Sequence, residues 1–182
     1  MTSGSDWIAV GLESGQLHIF SHGGVQRDLI GIQGSIIGLA ALEDTLFLCY
    51  HQGVNLQEQQ QISYMLLNVA SMEVTQQGFL AITNRSDLTW LGFSESGLPC
   101  VYDTSGVLWQ LFTHRNKASS LWRPIFDERN ERKSKKEHFW PIAVSDTQMT
   151  CVICKVTLFL SWLIASSLLY AQCNDRMRFT RR

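Results

Sequence analysis

A unit of about 50 residues that comes around roughly three times constrains this chain more than any other feature. Residues 36–41, 88–93 and 138–144 each open a unit with a short, mostly apolar run. A turn rich in Ser, Gly or Asp follows each of them, and then a second run. Within the units, Leu12-Glu13-Ser14-Gly15-Gln16-Leu17-His18-Ile19-Phe20 is similar to Asp103-Thr104-Ser105-Gly106-Val107-Leu108-Trp109-Gln110-Leu111-Phe112 around a shared Ser-Gly turn. Short strands at this period predict propeller blades, because one such sheet cannot bury its faces alone. The expected fold is therefore all-β, a partial propeller of about three four-stranded blades, and a binding platform rather than a catalytic domain.

The candidate strands follow from apolar runs and breakers. The first blade has 7–11, 16–20 and 25–32, with Gly23-Gly24 breaking the chain between the last two. The second has 35–41, 45–50, 62–69 and 78–82, with 52–61 as a polar exposed loop. The third has 88–93, 98–102, 107–112 and 121–126. A fourth begins with 139–144 and 150–154 and then stops resembling a blade. The runs are apolar on both faces, as sheets stacked between sheets require.

Composition narrows the function classes. With 45 % hydrophobic and 17 % charged residues the chain is globular, and 182 residues suit one domain. A net charge of -1 gives no general pull toward nucleic acid or anionic membrane. Five cysteines at irregular spacing make no disulfide framework and fit a reducing compartment. Residues 1–7 lack the basic and apolar stretches of a secretory signal.

Chemical motifs are sparse. Cys151 and Cys154 have the C-x-x-C spacing of half a zinc site, but a closed site needs two more ligands and no second pair occurs. Residues three apart on a strand also point to opposite faces, so two core cysteines are the expected reading and no metal or other cofactor is expected. Arg132, Lys133, Lys135 and Lys136 could form a nucleic-acid or nuclear-import patch. Glu128, Glu131 and Glu137 are interspersed with them, so residues 127–137 are read as a solvated inter-blade loop. The five histidines are scattered near turns, and Gly23-Gly24 lacks the lysine and helix of a phosphate-cradling loop. The six tryptophans are expected to pack between sheets rather than to stack on bases. No enzymatic activity is expected.

Several segments together resemble a known family. They include Gly23-Gly24-Val25-Gln26-Arg27-Asp28, Gly34-Ser35-Ile36-Ile37 and Leu46-Phe47-Leu48-Cys49-Tyr50-His51-Gln52-Gly53. Leu88-Thr89-Trp90-Leu91-Gly92-Phe93-Ser94, Gly97-Leu98-Pro99-Cys100 and Asp103-Thr104-Ser105-Gly106-Val107 continue the series. His138-Phe139-Trp140-Pro141-Ile142-Ala143-Val144 and Cys151-Val152-Ile153-Cys154-Lys155 close it. In this order they resemble the middle, SepB-type propeller of the replisome adaptor family, over about residues 7–155. That family includes WD repeat and HMG-box DNA-binding, chromosome transmission fidelity and minichromosome loss proteins.

The resemblance implies a nuclear, self-associating adaptor that serves DNA replication and sister-chromatid cohesion. Its implied partners are DNA polymerase alpha and the replicative helicase assembly. The family's client-binding helical bundle and HMG box have no counterpart here, so only the assembly platform is implied. An unrelated WD- or kelch-type binding propeller is the competing binding class.

The resemblance stops after Lys155, which divides the chain into a partial propeller (1–155) and a divergent tail (156–182). Residues 156–173 carry no charged side chain, and Arg176, Arg178, Arg181 and Arg182 follow. Three readings of the tail stay open. It could be a tail anchor at the short limit of a membrane span, or a helix with Leu158, Trp162, Ala165 and Leu169 on one face. The favoured reading is translation past an exon end or an alternative exon, with membrane contact not expected. About three blades cannot close a ring, so exposed edges, an uncovered apolar face and self-association are expected.

Overall fold

The computed structural model describes residues 1–53, 61–113, 120–132 and 137–155, together with the backbone of 175–178. Its first two sheets are built from β1 (Thr2–Ser3), β2 (Trp7–Gly11), β3 (Gln16–Ser21) and β4 (Gln26–Gly31), then β5 (Ile36–Leu42), β6 (Thr45–His51), β7 (Ile62–Asn68) and β8 (Glu73–Phe79). The third has β9 (Leu88–Phe93), β10 (Pro99–Asp103), β11 (Val107–Thr113) and β12 (Ser120–Asp127). A fourth holds β13 (Glu137–Val144), β14 (Gln148–Lys155) and β15 (Asp175–Arg178). Each sheet is an antiparallel meander of consecutive strands, with four strands in the first three and three in the last.

Strand alternation decides how the sheets stack. On β6, Leu46 and Leu48 face one way and Phe47 and Cys49 the other, and all four are buried. Leu46 and Leu48 meet Trp7, Ala9, Leu17 and Ile19 in a core between the first and second sheets. Phe47 and Cys49 join Tyr64, Val101 and Leu111 between the second and third. Cys100, Tyr102, Leu108 and Phe126 meet Phe139, Met149 and Cys151 between the third and fourth. Burying each large apolar side chain stabilises by about 1.5–3 kcal/mol, so these three cores carry the fold.

The first strands stand side by side. β5 packs beside β1 and β2 on one flank and β9 on the other, and β9 packs beside β13. A parallel bridge joins Ser94 to Val144, and the Glu95 N–H donates to the Val144 carbonyl at 2.8 Å. Meanders leading outward from a row of adjacent first strands form a partial β-propeller, the all-β class the period predicts.

The repeated Ser-Gly turn has one structure in two sheets. Gly15 (φ 81°) and Gly106 (φ 83°) both take left-handed backbone that favours glycine, each between the second and third strands of its sheet. Each carbonyl accepts the N–H of the residue just after the sheet's last strand, Ile32 at 2.7 Å and Glu128 at 2.8 Å.

Three expectations need correction. The outer strand of the second sheet is Glu73–Phe79, not 78–82. An edge strand has one partner and a wet face, so polar Thr75, Gln76 and Gln77 serve there. Leu80 and Ile82 instead pack into the core between the second and third sheets as the chain crosses over. The fourth sheet continues beyond its second strand, because β15 pairs with β14 from Cys151–Asp175 to Gln148–Arg178. The expected apolar tail otherwise lies outside the described residues. Residues 127–132 are not simply a solvated loop: Asp127 caps a single 3-10 turn, Glu128–Asn130, and Glu128 is buried.

Candidate functional site

The first and fourth sheets each turn one face away from the three cores of the described residues. On the first sheet, Val10 lies opposite His18 and Ile8 opposite Phe20, on the side away from Trp7 and Ala9. Leu29 lies opposite His18 and is 54 % exposed, while the His18 and Phe20 rings stack at 6.1 Å. On the fourth sheet, Phe139, Cys151 and Ile153 turn toward the third. The opposite face presents Trp140 (53 % exposed) and Ile142 (51 %), with Val152 beside Trp140.

A groove of about 600 Å³ opens between the crossover after β8 and the outer strands of the third sheet, lined by Ile82, Thr83, Val107, Trp109, Pro124 and Asp127. The wholly buried carboxylate of Asp103 ties these walls together. One oxygen accepts the N–H groups of Ser105 (3.0 Å) and Val107 (3.1 Å). The other accepts the Thr83 N–H (3.0 Å) and the Trp109 indole N–H (3.1 Å). Burial alone would raise this carboxyl, but the hydrogen bonds from Thr83, Trp109 and Val107 outweigh it and hold the pKa below its ordinary value. Asp103 is therefore a structural anchor of a tight turn, the role such turn aspartates are suited to.

A second buried polar group joins β10 to the turn after β12. The Tyr102 hydroxyl donates to Glu128 Oε2, and Arg132 Nε lies 2.5 Å from Oε1. Burial, and then the adjacent Glu128, push the Tyr102 pKa well up. Gly106 leaves space for this group, since a Cβ there would sit 2.6 Å from both Cβ and Oε2 of Glu128.

The candidate residues of the sequence do not converge. Cys151 is buried in the third core and Cys154 is half-buried opposite His138. No group of three or more His, Cys, Asp or Glu side chains among the described residues could hold a metal ion. Arg132 is engaged by Glu128, whereas Lys133, Lys135 and Lys136 lie outside the described residues. Trp7, Trp90, Trp109 and Trp122 pack between sheets as expected. Trp140 departs from that expectation by facing solvent, and no signal in its own run marks it. Among the described residues no helix is long and apolar enough to cross a membrane.

Residues 1–158 match the family model of the minichromosome loss protein, Mcl1, middle region. The chain belongs to this family. The chain is 29 % identical over 160 residues to human WD repeat and HMG-box DNA-binding protein 1, covering 86 % of this chain and 14 % of that protein. It is 31 % identical over 156 residues to Arabidopsis thaliana Protein ENHANCER OF LHP1 1, covering 85 % and 16 %. Minichromosome loss protein 1 of Schizosaccharomyces pombe is 28 % identical over 158 residues, covering 83 % and 19 %. The chain thus spans less than a fifth of each of these relatives. The match takes in all three inter-sheet cores, so the stacked sheets are the part that this Mcl1 middle-region chain shares with them.

Proposed function

We propose that this chain is a non-enzymatic, nuclear adaptor module of a DNA-replication and chromatin-cohesion hub. It contributes a self-associating assembly platform that links DNA polymerase alpha to the replicative helicase. The observation that carries this reading is the family match over residues 1–158, which spans the stacked sheets and their exposed end faces. Names among the relatives, a DNA-binding protein and a minichromosome loss protein, agree with a chromosomal role. The buried Asp103 and Glu128 groups serve this function by stiffening the platform rather than by performing chemistry.

The test is self-association of the purified 182-residue chain by analytical ultracentrifugation, with nuclear fractionation of a tagged copy. Concentration-dependent self-association together with nuclear recovery is the expected result. Recovery in a detergent-dependent membrane fraction, with no self-association, would overturn the reading.

A further inference from the structure

A second groove, of about 360 Å³, opens between β7 and β8 of the second sheet and β12 of the third. Its size is that of a small-ligand site. Tyr64 and Trp122 form its aromatic wall, with ring centroids 5.3 Å apart and planes at 89°. Gly78 lies opposite Tyr64, and a Cβ there would stand 3.3 Å from Tyr64 Cε1, so glycine leaves this ring uncovered. Phe79, 69 % exposed, adds a third ring at the rim.

Hydrogen-bonding capacity in this groove is one-sided. The Trp122 indole Nε1 is buried and has no acceptor among the described residues, a state that costs free energy unless something supplies one. The Tyr64 oxygen already accepts from Gln76 Nε2 at 3.0 Å, which leaves the hydroxyl proton to donate. The exposed Gln77 amide adds an NH₂ that can donate beside them. None of the lining side chains among the described residues carries a charge. The groove therefore selects a neutral ligand that is rich in acceptors and poor in donors.

The geometry points to a proline-rich segment of a partner protein, docked here in the polyproline II conformation. Each proline has a carbonyl and no N–H, so such a chain brings acceptors without donors. Its backbone makes no internal hydrogen bonds, which leaves the carbonyls free, and its preset φ lowers the ordering cost of docking. Aromatic-lined grooves suit such segments for these reasons. An ordinary extended strand would set its own N–H groups against the Trp122 and Tyr64 donors. The site lies apart from any self-association surface and stands independently of the assembly-platform reading.

Isothermal calorimetry of the full 182-residue chain against capped decaproline tests it, with a capped Gly-Ser peptide of equal length as the control. Saturable binding to decaproline alone is expected. Trp122→Phe keeps a ring but removes the N–H, and should weaken binding about tenfold. Phe79→Ser changes an exposed side chain and should weaken it about fivefold. Unchanged circular dichroism verifies the fold of each variant, and Phe79→Ser carries the test if Trp122→Phe does not fold. Equal binding of both peptides, no binding by the parent chain, or decaproline binding that either folded variant leaves unchanged would overturn the site. Self-association, measured separately, bears on the platform reading alone.

Discussion

The Tyr102 hydroxyl donates to the Glu128 carboxylate, and both side chains are buried where the third sheet meets the turn after its last strand. Arg132 supplies the opposite charge to the second oxygen. The group fastens two segments 26 residues apart in sequence. Removing one partner of a buried charge pair costs about 3–5 kcal/mol, because the other is left uncompensated. Glu128→Ala should destabilise by about that much in urea unfolding, and Tyr102→Phe by about 1–3 kcal/mol. Losses of only a few tenths of a kcal/mol for both would show that the pair is not closed in solution.

Asp103 gives a prediction with a pH sign. Its folded pKa lies below the ordinary value of 3.8, so the carboxylate contributes stability that is present above that value and lost as pH falls through the folded one. Asp103→Ala strands one buried and three part-buried donors and should cost about 3 kcal/mol, with the acid limb of the stability profile flattened. Melting curves recorded from neutral to acid pH for parent and variant test it. An unaltered acid limb would contradict the assignment.

The alkaline limb belongs to other groups. Burial pushes the Cys49 thiol well up and the Cys100 thiol up to about 12, from 9.0 for both. Burial likewise raises Tyr64 and Tyr102 from 10.0. For groups with raised folded values, the stability is fully present below the unfolded value and lost as pH rises toward the folded one. Stability should therefore hold to about pH 9 and decline above it. Cys49→Ala with Cys100→Ala should reduce the earliest part of that decline in a pH series of thermal melts, and no change would contradict it.

Gly38 on β5 lies against Leu91 on β9, where a Cβ would fall 2.0 Å from Leu91 Cδ2. Overfilling a packed contact costs about 1–3 kcal/mol. Gly38→Ala should lower stability in that range, and adding Leu91→Ala should give a favourable coupling of at least about 0.5 kcal/mol in a double-mutant cycle. Additive losses would mean that the second and third sheets do not approach so closely.

Much of this fold is legible in the sequence because central strands are sandwiched. β6, β7, β10 and β11 need apolar side chains on both faces, and their runs stand out. β8 does not, since an edge strand with a wet face needs only extended backbone, and the apolar Leu80 and Ile82 beyond it draw attention away. Glu128 sits in a charged run that reads as solvated. Its burial depends on Tyr102 and Arg132 meeting it in space, which spacing along the chain does not reveal. Strand alternation says in advance that the first and fourth sheets have faces turned away from the three described cores. Which side chains occupy them, Trp140 above all, follows only from the register of β13 on β14.

Amide hydrogen exchange along the whole 182-residue chain tests the central claim, that sheets of consecutive strands are stacked face to face by three buried cores. The account predicts slowest exchange in β6, β10 and β11, which have strand partners on both sides and sheets on both faces. The outer strands β4, β8 and β12 should exchange faster than these, because among the described residues each has a strand partner on one side alone. Protection in a helical pattern, or equally fast exchange in β6 and β8, would contradict it.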